Sequence, residues 1–335
     1  MVLDDQPQKV FKVLSVDGGG IKGIYSARIL ERLESRFNCQ IADYFDLICG
    51  TSTGGLIALA LSLKIPASVI TNFYQAKGEI IFQEKRRKSS WRQLFISSKH
   101  DNQELRRSLT EIFGQRTISD SYCLLCIPAF SLTNGRPFIF KYDHPEGNLV
   151  RDNKTKYVDI ALATSAAPTY LPIVTIPDYD NRQFIDGGIY ANNPTLVGVA
   201  ESLKYFVGAG KQFTSLMVLS VASLETIPGR CLRTKEDRSI VSWGSELIET
   251  FFEGQAYFNE YVVQTLADSY NPPFEYLRIP SVHLSAEQSQ VISLDNSSKS
   301  ALNIMLAHGN DQADFYMKKS ELIRFFQQKK QYIVR

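Results

Sequence analysis

Two strand-length apolar runs, each closed by a glycine turn and followed by helical periodicity, constrain this chain more than any other feature. Phe11 to Val16 reads as a buried strand, which Asp17-Gly18-Gly19-Gly20 breaks. Ile21, Ile24, Leu30, Leu33 and Phe37 then recur at helical spacing with charged residues between them. Phe45 to Cys49 repeats the strand, Gly50-Thr51-Ser52-Thr53-Gly54 repeats the turn, and Leu56 to Leu63 supplies a second helix. This alternation predicts an α/β fold with a largely parallel sheet. Both turns then lie at the carboxyl ends of strands, where open α/β sheets bind ligands.

Further along, Asp101 with Glu104 reads as a capping box for a helix through Leu105, Leu109 and Ile112. Cys123 to Leu132 and Pro137 to Tyr142 flank Asn134-Gly135, a hairpin signal. Val158 to Ser165 reads as a short helix, and Gln183 to Ile185 as a strand entering Asp186-Gly187-Gly188. Asn193 and Pro194 supply a cap and a first-turn proline for a helix to Phe206. A strand at Ser215 to Val221, a long aromatic-studded helix from Trp243 to Asp268, a strand at Phe274 to Ile279 and two terminal helices complete the expectation. There is no internal repeat or low-complexity linker, and the softest seam falls near Pro228. Residues 11–197 are expected to form a catalytic core, with 198–335 as an extension completing the same globule.

Composition narrows the setting. A chain of 335 residues, 44% hydrophobic and 21% charged, is sufficient for a sizeable core. Its net charge of +2 provides no global field for a nucleic acid polymer. Five scattered cysteines (Cys39, Cys49, Cys123, Cys126, Cys231) do not make a disulfide framework and fit a reducing compartment. Met1 to Lys9 lacks the basic and apolar parts of a signal peptide. The longest apolar stretch, Leu56 to Leu63, falls far short of the roughly 20 residues that span a bilayer. A soluble cytoplasmic protein able to touch membranes is expected.

The second turn is Gly-x-Ser-x-Gly between a strand and a helix, the context of a nucleophile elbow. Gly50 and Gly54 leave room beside Ser52, whose hydroxyl must project above the sheet. The helix behind Ser52 directs free N–H groups and the positive end of its dipole at any oxyanion formed there. The first turn has two readings. Gly18, Gly20 and Gly23 satisfy G-x-G-x-x-G, as a nucleotide-binding sensor module would, but the next strand ends in Cys49 where a dinucleotide fold needs an acidic residue. Alternatively, Gly18, Gly19 and Gly20 crowd N–H groups against a substrate carbonyl as an oxyanion hole, at roughly 3 to 4 kcal/mol per donor. Asp186, beside Gly187 and Gly188, is a base for Ser52 only if burial raises it from the ordinary value of about 3.9. A histidine would complete an ordinary triad. His283 and His308 follow Asp186 in the order of an α/β-hydrolase, although His308, before Gly309, also suits a helix C-terminus.

Taken together, Asp17 to Gly23, Gly50 to Gly54 and Asp186 to Gly188 occur in the order found in the patatin-like phospholipases, which this sequence resembles. Ala163-Thr164-Ser165-Ala166-Ala167-Pro168-Thr169-Tyr170-Leu171-Pro172 is similar to that family's segment ahead of the aspartate. The resemblance covers about Phe11 to Leu196. Lys22 stands where the family more often has arginine, which keeps the charge but loses the planar fork. The resemblance implies a three-layer sandwich with a mostly parallel central sheet and a Ser52-Asp186 dyad without histidine, metal or cofactor. It implies phospholipid as substrate at a membrane surface and N–H groups of Gly18 to Gly20 as the oxyanion hole. Phe45 to Ser52 and the absent targeting segment also look like bacterial members, some of which are antiphage effectors switched on by a cyclic dinucleotide. A homo-oligomer is compatible with this subgroup.

Three other features carry weaker readings. Lys85-Arg86-Arg87-Lys88 with Trp91 and Arg92 suits anionic headgroups or a phosphate-bearing regulator, or a solvated loop. Cys123 and Cys126 read as core cysteines rather than metal ligands. Phe251, Phe252, Tyr257, Phe258 and Tyr261 read as core packing by default, or as the lining of an acyl pocket or a subunit contact.

Overall fold

The computed structural model describes residues 9–81, 102–225, 237, 243, 245–271 and 274–334. Its centre is one eight-stranded sheet in the order β5-β6-β3-β2-β1-β7-β8, with β4 paired to β3. The strands are β1 Val10–Val16, β2 Leu47–Gly50, β3 Leu124–Ser131, β4 Arg136–Lys141, β5 Val174–Ile176, β6 Arg182–Asp186, β7 Ser215–Val221 and β8 Glu275–Ile279. β3, β2, β1, β7 and β8 pair in parallel, while β4 and β6 run antiparallel to β3. The sheet is therefore mixed but mostly parallel. Its two C-terminal strands come from beyond residue 198 and join the edge opposite the hairpin.

Strand alternation sets the layers. On one face of β1, Phe11 stacks on Phe206, and the Ser15 hydroxyl accepts from Thr195 Oγ1 of the helix Thr195–Tyr205. Lys12 points to the other face, where its ammonium donates to the carbonyls of Phe325 and Gln328. Helices α1 (Gly23–Phe37) and α2 (Thr53–Ser62) follow the two glycine turns, and α3 (Ala67–Ile81) packs against both.

Most predicted elements form where their signals lie, the Asn134-Gly135 hairpin with Gly135 at φ +62° among them. Cys123 and Cys126 are core residues, each at most 1% exposed. The basic run Lys85 to Lys88 with Trp91 and Arg92, the cap residue Asp101 and the seam at Pro228 lie outside the described residues.

Three expectations change. There are three C-terminal helices, because Ser285 and Gln288 form a capping box that nucleates an extra turn at Ala286–Val291. His308 does not end its helix, which runs from Lys299 to Tyr316. Gly309 serves packing there, since a Cβ would come within 3.0 Å of Arg28 and 3.1 Å of the Tyr25 carbonyl on α1. The aromatic run divides as well. The helix Ser245–Ser269 buries only the stripe through Phe252, Ala256, Val263 and Ala267, so Phe251, Tyr257, Phe258 and Tyr261 are exposed.

Candidate active site

The register of the sheet determines where the two glycine turns and Asp186 meet. Val16 pairs with Gly50 at the carboxyl ends of β1 and β2, so the turns leave the sheet side by side. Cys49 lies opposite Cys126 and Asp186 opposite Ala129. Ser52 follows Cys49 by the same interval that separates Ala129 from Cys126. Because β6 runs antiparallel to β3, its last residue therefore reaches the level of the serine.

The elbow is strained and tightly held. Ser52 adopts φ +54° and ψ −126°, a conformation of a kind that costs a non-glycine residue on the order of 1–3 kcal/mol. Its N–H donates to Thr164 Oγ1 at 3.0 Å, and that hydroxyl donates to the Pro128 carbonyl at 2.6 Å. Thr51 Oγ1 donates to the Ala191 carbonyl. The glycines fit by necessity: a Cβ on Gly54 would lie 2.2 Å from the Val16 carbonyl, and one on Gly50 2.1 Å from that of Gly54. Thr53 and Gly54 open α2 with N–H groups that have no intrahelical acceptor.

Asp186 is fully buried. Its Oδ1 accepts from the Gly188 N–H at 2.7 Å, and a Cβ on Gly187 would strike the Pro128 carbonyl at 2.4 Å. Oδ2 has no partner at hydrogen-bond distance among the described residues. The Ser52 hydroxyl is the side-chain donor whose influence favours the ionised carboxyl. Contacts of this kind commonly tighten only when substrate binds. Desolvation raises Asp186 to about 7, against smaller opposing effects of the Gly188 N–H and the Ser52 hydroxyl. This carboxyl is thus poised near neutrality, as a general base should be.

The glycine-rich turn stands against the serine. A Cβ on Gly18 would come within 3.2 Å of Ser52 Cβ, and one on Gly23 within 2.9 Å of Thr53 Oγ1. Gly18 donates its N–H to the Asn192 carbonyl at 2.9 Å and Gly19 to Thr53 Oγ1 at 3.2 Å. The Gly20 N–H has no protein acceptor among the described residues, and Gly20, at φ +58°, lines the cleft beside Ser52. That cleft has a volume of about 600 Å³ where it opens outward, and its walls include Leu56, Phe73, Leu105, Tyr170, Leu171 and Phe252. Its lining is almost wholly apolar, which suits an acyl chain.

Several supporting residues gave no local signal in the sequence. Arg278 on β8 is buried and donates to Asp17 Oδ2 and Ser220 Oγ, both at 2.7 Å, while its Nε lies 3.0 Å from Glu260. Burial nonetheless raises Asp17 to about 6, with Arg278 opposing the shift. The Leu294 carbonyl accepts from Ile21 N–H and fills the space a Cβ on Gly20 would need. Only the segment Ala163 to Pro172 offered a trace in advance: it supplies Thr164 to the elbow and Tyr170 and Leu171 to the cleft. Lys22 is buried, with Nζ 3.9 Å from Glu253.

No histidine hydrogen-bonds to Ser52 or Asp186 among the described residues. His283 is exposed, and His308 lies on the helix that packs against α1. Arg278→Met should destabilise the fold by about 3–5 kcal/mol, because it leaves Asp17 buried without its partner. Urea unfolding should show a smaller loss at pH 5 than at pH 8, since Asp17 can be neutral at the lower pH. An equal loss at both would separate Asp17 from the effect.

A family model described as patatin-like phospholipase matches residues 14–199. A Pseudomonas aeruginosa protein named cGAMP-activated phospholipase is 34% identical, the alignment covering 90% of this chain and 88% of that one. Proteins of the same name from Vibrio cholerae and Escherichia coli are 27% and 29% identical, covering 94% and 96% of this chain and 94% and 93% of theirs. No helix among the described residues is long and apolar enough to cross a membrane. With its elbow, its later Asp-Gly-Gly and the family match in one continuous fold, the chain belongs to the patatin-like phospholipase family and is a lipid acyl hydrolase.

Proposed function

We propose that Ser52 and Asp186 act as a two-residue catalytic machine on acyl esters of membrane glycerophospholipids. The observation that carries this reading is the buried, near-neutral Asp186 carboxyl beside a strained serine at the mouth of an apolar cleft. Ser52 Oγ attacks the acyl carbonyl carbon while Asp186 takes the hydroxyl proton. The oxyanion is held by N–H groups of the turn Gly18 to Gly20. Gly20 offers its donor directly, and Gly18 and Gly19 would exchange their present acceptors for it. Asp186 returns the proton to the departing alcohol, giving an acyl-serine. A water deprotonated by Asp186 then cleaves that ester and releases the fatty acid. Metal and cofactor have no part in this scheme.

Residues 11–197 are the catalytic core in this reading, and 198–335 complete it through Arg278, Leu294 and Phe252. The names of the three bacterial relatives support a further step: this chain is a cytoplasmic antiphage effector, switched on by a cyclic dinucleotide to act at the inner membrane, with self-association as part of the switch. Fatty acid release from phospholipid vesicles should rise with at least one member of a cyclic-dinucleotide panel. A flat response in both activity and assembly state would remove the activation step. The double variant His283→Ala/His308→Ala should keep turnover within about twofold of wild type, whereas its loss would replace the dyad by a triad.

A further inference from the structure

The apolar cleft occupies only one side of the glycine turn. Beside Gly18 and Gly19 lies a second hollow, about 390 Å³ counting the solvent into which it opens, which shares Phe252 and Leu294 with the cleft. Its lining is mixed: Leu224, Phe252, Ala256 and Leu294 stand beside the polar Asp17, Lys22, Asn192, Ser223, Glu225 and Glu253. Asp17 Oδ1, Asn192 Oδ1 and Ser223 Oγ are buried there without a hydrogen-bond partner among the described residues. These residues are only 3%, 6% and 6% exposed, so bulk water does not satisfy them. Each such group costs about 1–3 kcal/mol until something pairs with it.

All three atoms accept hydrogen bonds, and two of them can only accept. They also sit against the reaction centre. A Cβ on Gly19 would lie 1.9 Å from Ser223 Oγ, and one on Gly18 2.4 Å from Asn192 Oδ1. A phospholipid with its acyl chain in the apolar cleft and its ester at Ser52 carries its glycerol phosphate and headgroup beyond the ester, and the hollow adjoins the cleft through Phe252 and Leu294.

We propose that the hollow is the subsite for the alcohol half of the substrate, and that it selects headgroups ending in a hydrogen-bond-donating ammonium. Lys22 faces the phosphate, while Glu225 and the unmet acceptors receive the ammonium. The inference rests on the reading of Ser52 as the nucleophile of a phospholipid hydrolase.

The test uses the full chain, neutral detergent micelles and the cyclic-dinucleotide panel. Phosphatidylethanolamine and phosphatidic acid with identical acyl chains are compared, and p-nitrophenyl butyrate serves as an ester with no headgroup. Wild type should prefer phosphatidylethanolamine by about tenfold in kcat/KM, the effect of one hydrogen bond to a charged group. Ser223→Ala and Glu225→Gln should each remove most of that preference and leave the other two substrates within about twofold. Glutamine retains an oxygen for the bond that Tyr257 now donates to Glu225. Equal wild-type rates on both lipids, or variants that lower all three substrates alike, would overturn the subsite and leave the role of Ser52 standing. A wild type inactive on every substrate would overturn the underlying reading and the subsite with it.

Discussion

Asp186→Asn is expected to lower the rate of ester hydrolysis by about 10⁴-fold and at the same time to make the protein more stable at pH 8. The first effect follows from the role proposed for it as base, since an amide cannot take the Ser52 proton. The second follows from burial. Asp186 is raised from 3.8 to about 7 because desolvation penalises its charged form. An acid whose pKa is higher in the folded state favours folding most below its unfolded value and loses that contribution as pH rises through its folded value. The window here runs from about 4 to about 7, and the shift corresponds to a cost on the order of 4 kcal/mol once the carboxylate is ionised. Asparagine avoids this cost and can keep the bond from Gly188. The gain in unfolding temperature over wild type should be near zero at pH 4, grow through this window and level off above it. Wild-type kcat/KM should rise with pH across the same region, because only the carboxylate form is a base. A variant no more stable at pH 8 than at pH 4 would show that Asp186 is not held at a raised pKa.

Ser52→Ala should abolish fatty acid release, with a loss of about 10⁴-fold or more and only background hydrolysis left. Folding should survive, because the Ser52 side chain makes no helix-capping bond and its backbone bond to Thr164 needs only the N–H. Alanine keeps the strain of a positive φ, whereas Ser52→Gly relieves it and should raise stability by about 1 kcal/mol while being equally inactive. Product profiling by mass spectrometry together with thermal unfolding separates the two properties. Fatty acid release by a folded Ser52→Ala protein would remove the serine from the chemistry.

Legibility in the sequence followed the range of the interactions involved. Phe11 to Gly20 and Phe45 to Gly54 announced themselves because strand, turn and helix each leave a short-range period. The Asn134-Gly135 hairpin and the strand at Ser215 to Val221 were equally plain for that reason. Where local evidence was ambiguous, packing decided. The glycine after His308 signalled a helix end, yet its real use is to let Arg28 and Tyr25 approach closely. The aromatic run of Phe251 to Tyr261 suggested a core, but a long surface helix buries only one stripe.

The elbow around Ser52, the glycine turn before it and the candidacy of Asp186 were legible along the chain, because motif spacing is a property of neighbouring residues. Only the assembled fold, by pairing β6 with β3, brings Asp186 to the level of Ser52, lets Arg278 and Leu294 fasten the glycine turn and makes Phe252 a wall of the cleft. It also sets the protonation of the proposed base: an aspartate is ordinarily a weak one, and only complete removal from water brings this carboxyl close to neutrality. Burial is a sum over residues brought together from the whole chain, and no single segment encodes it.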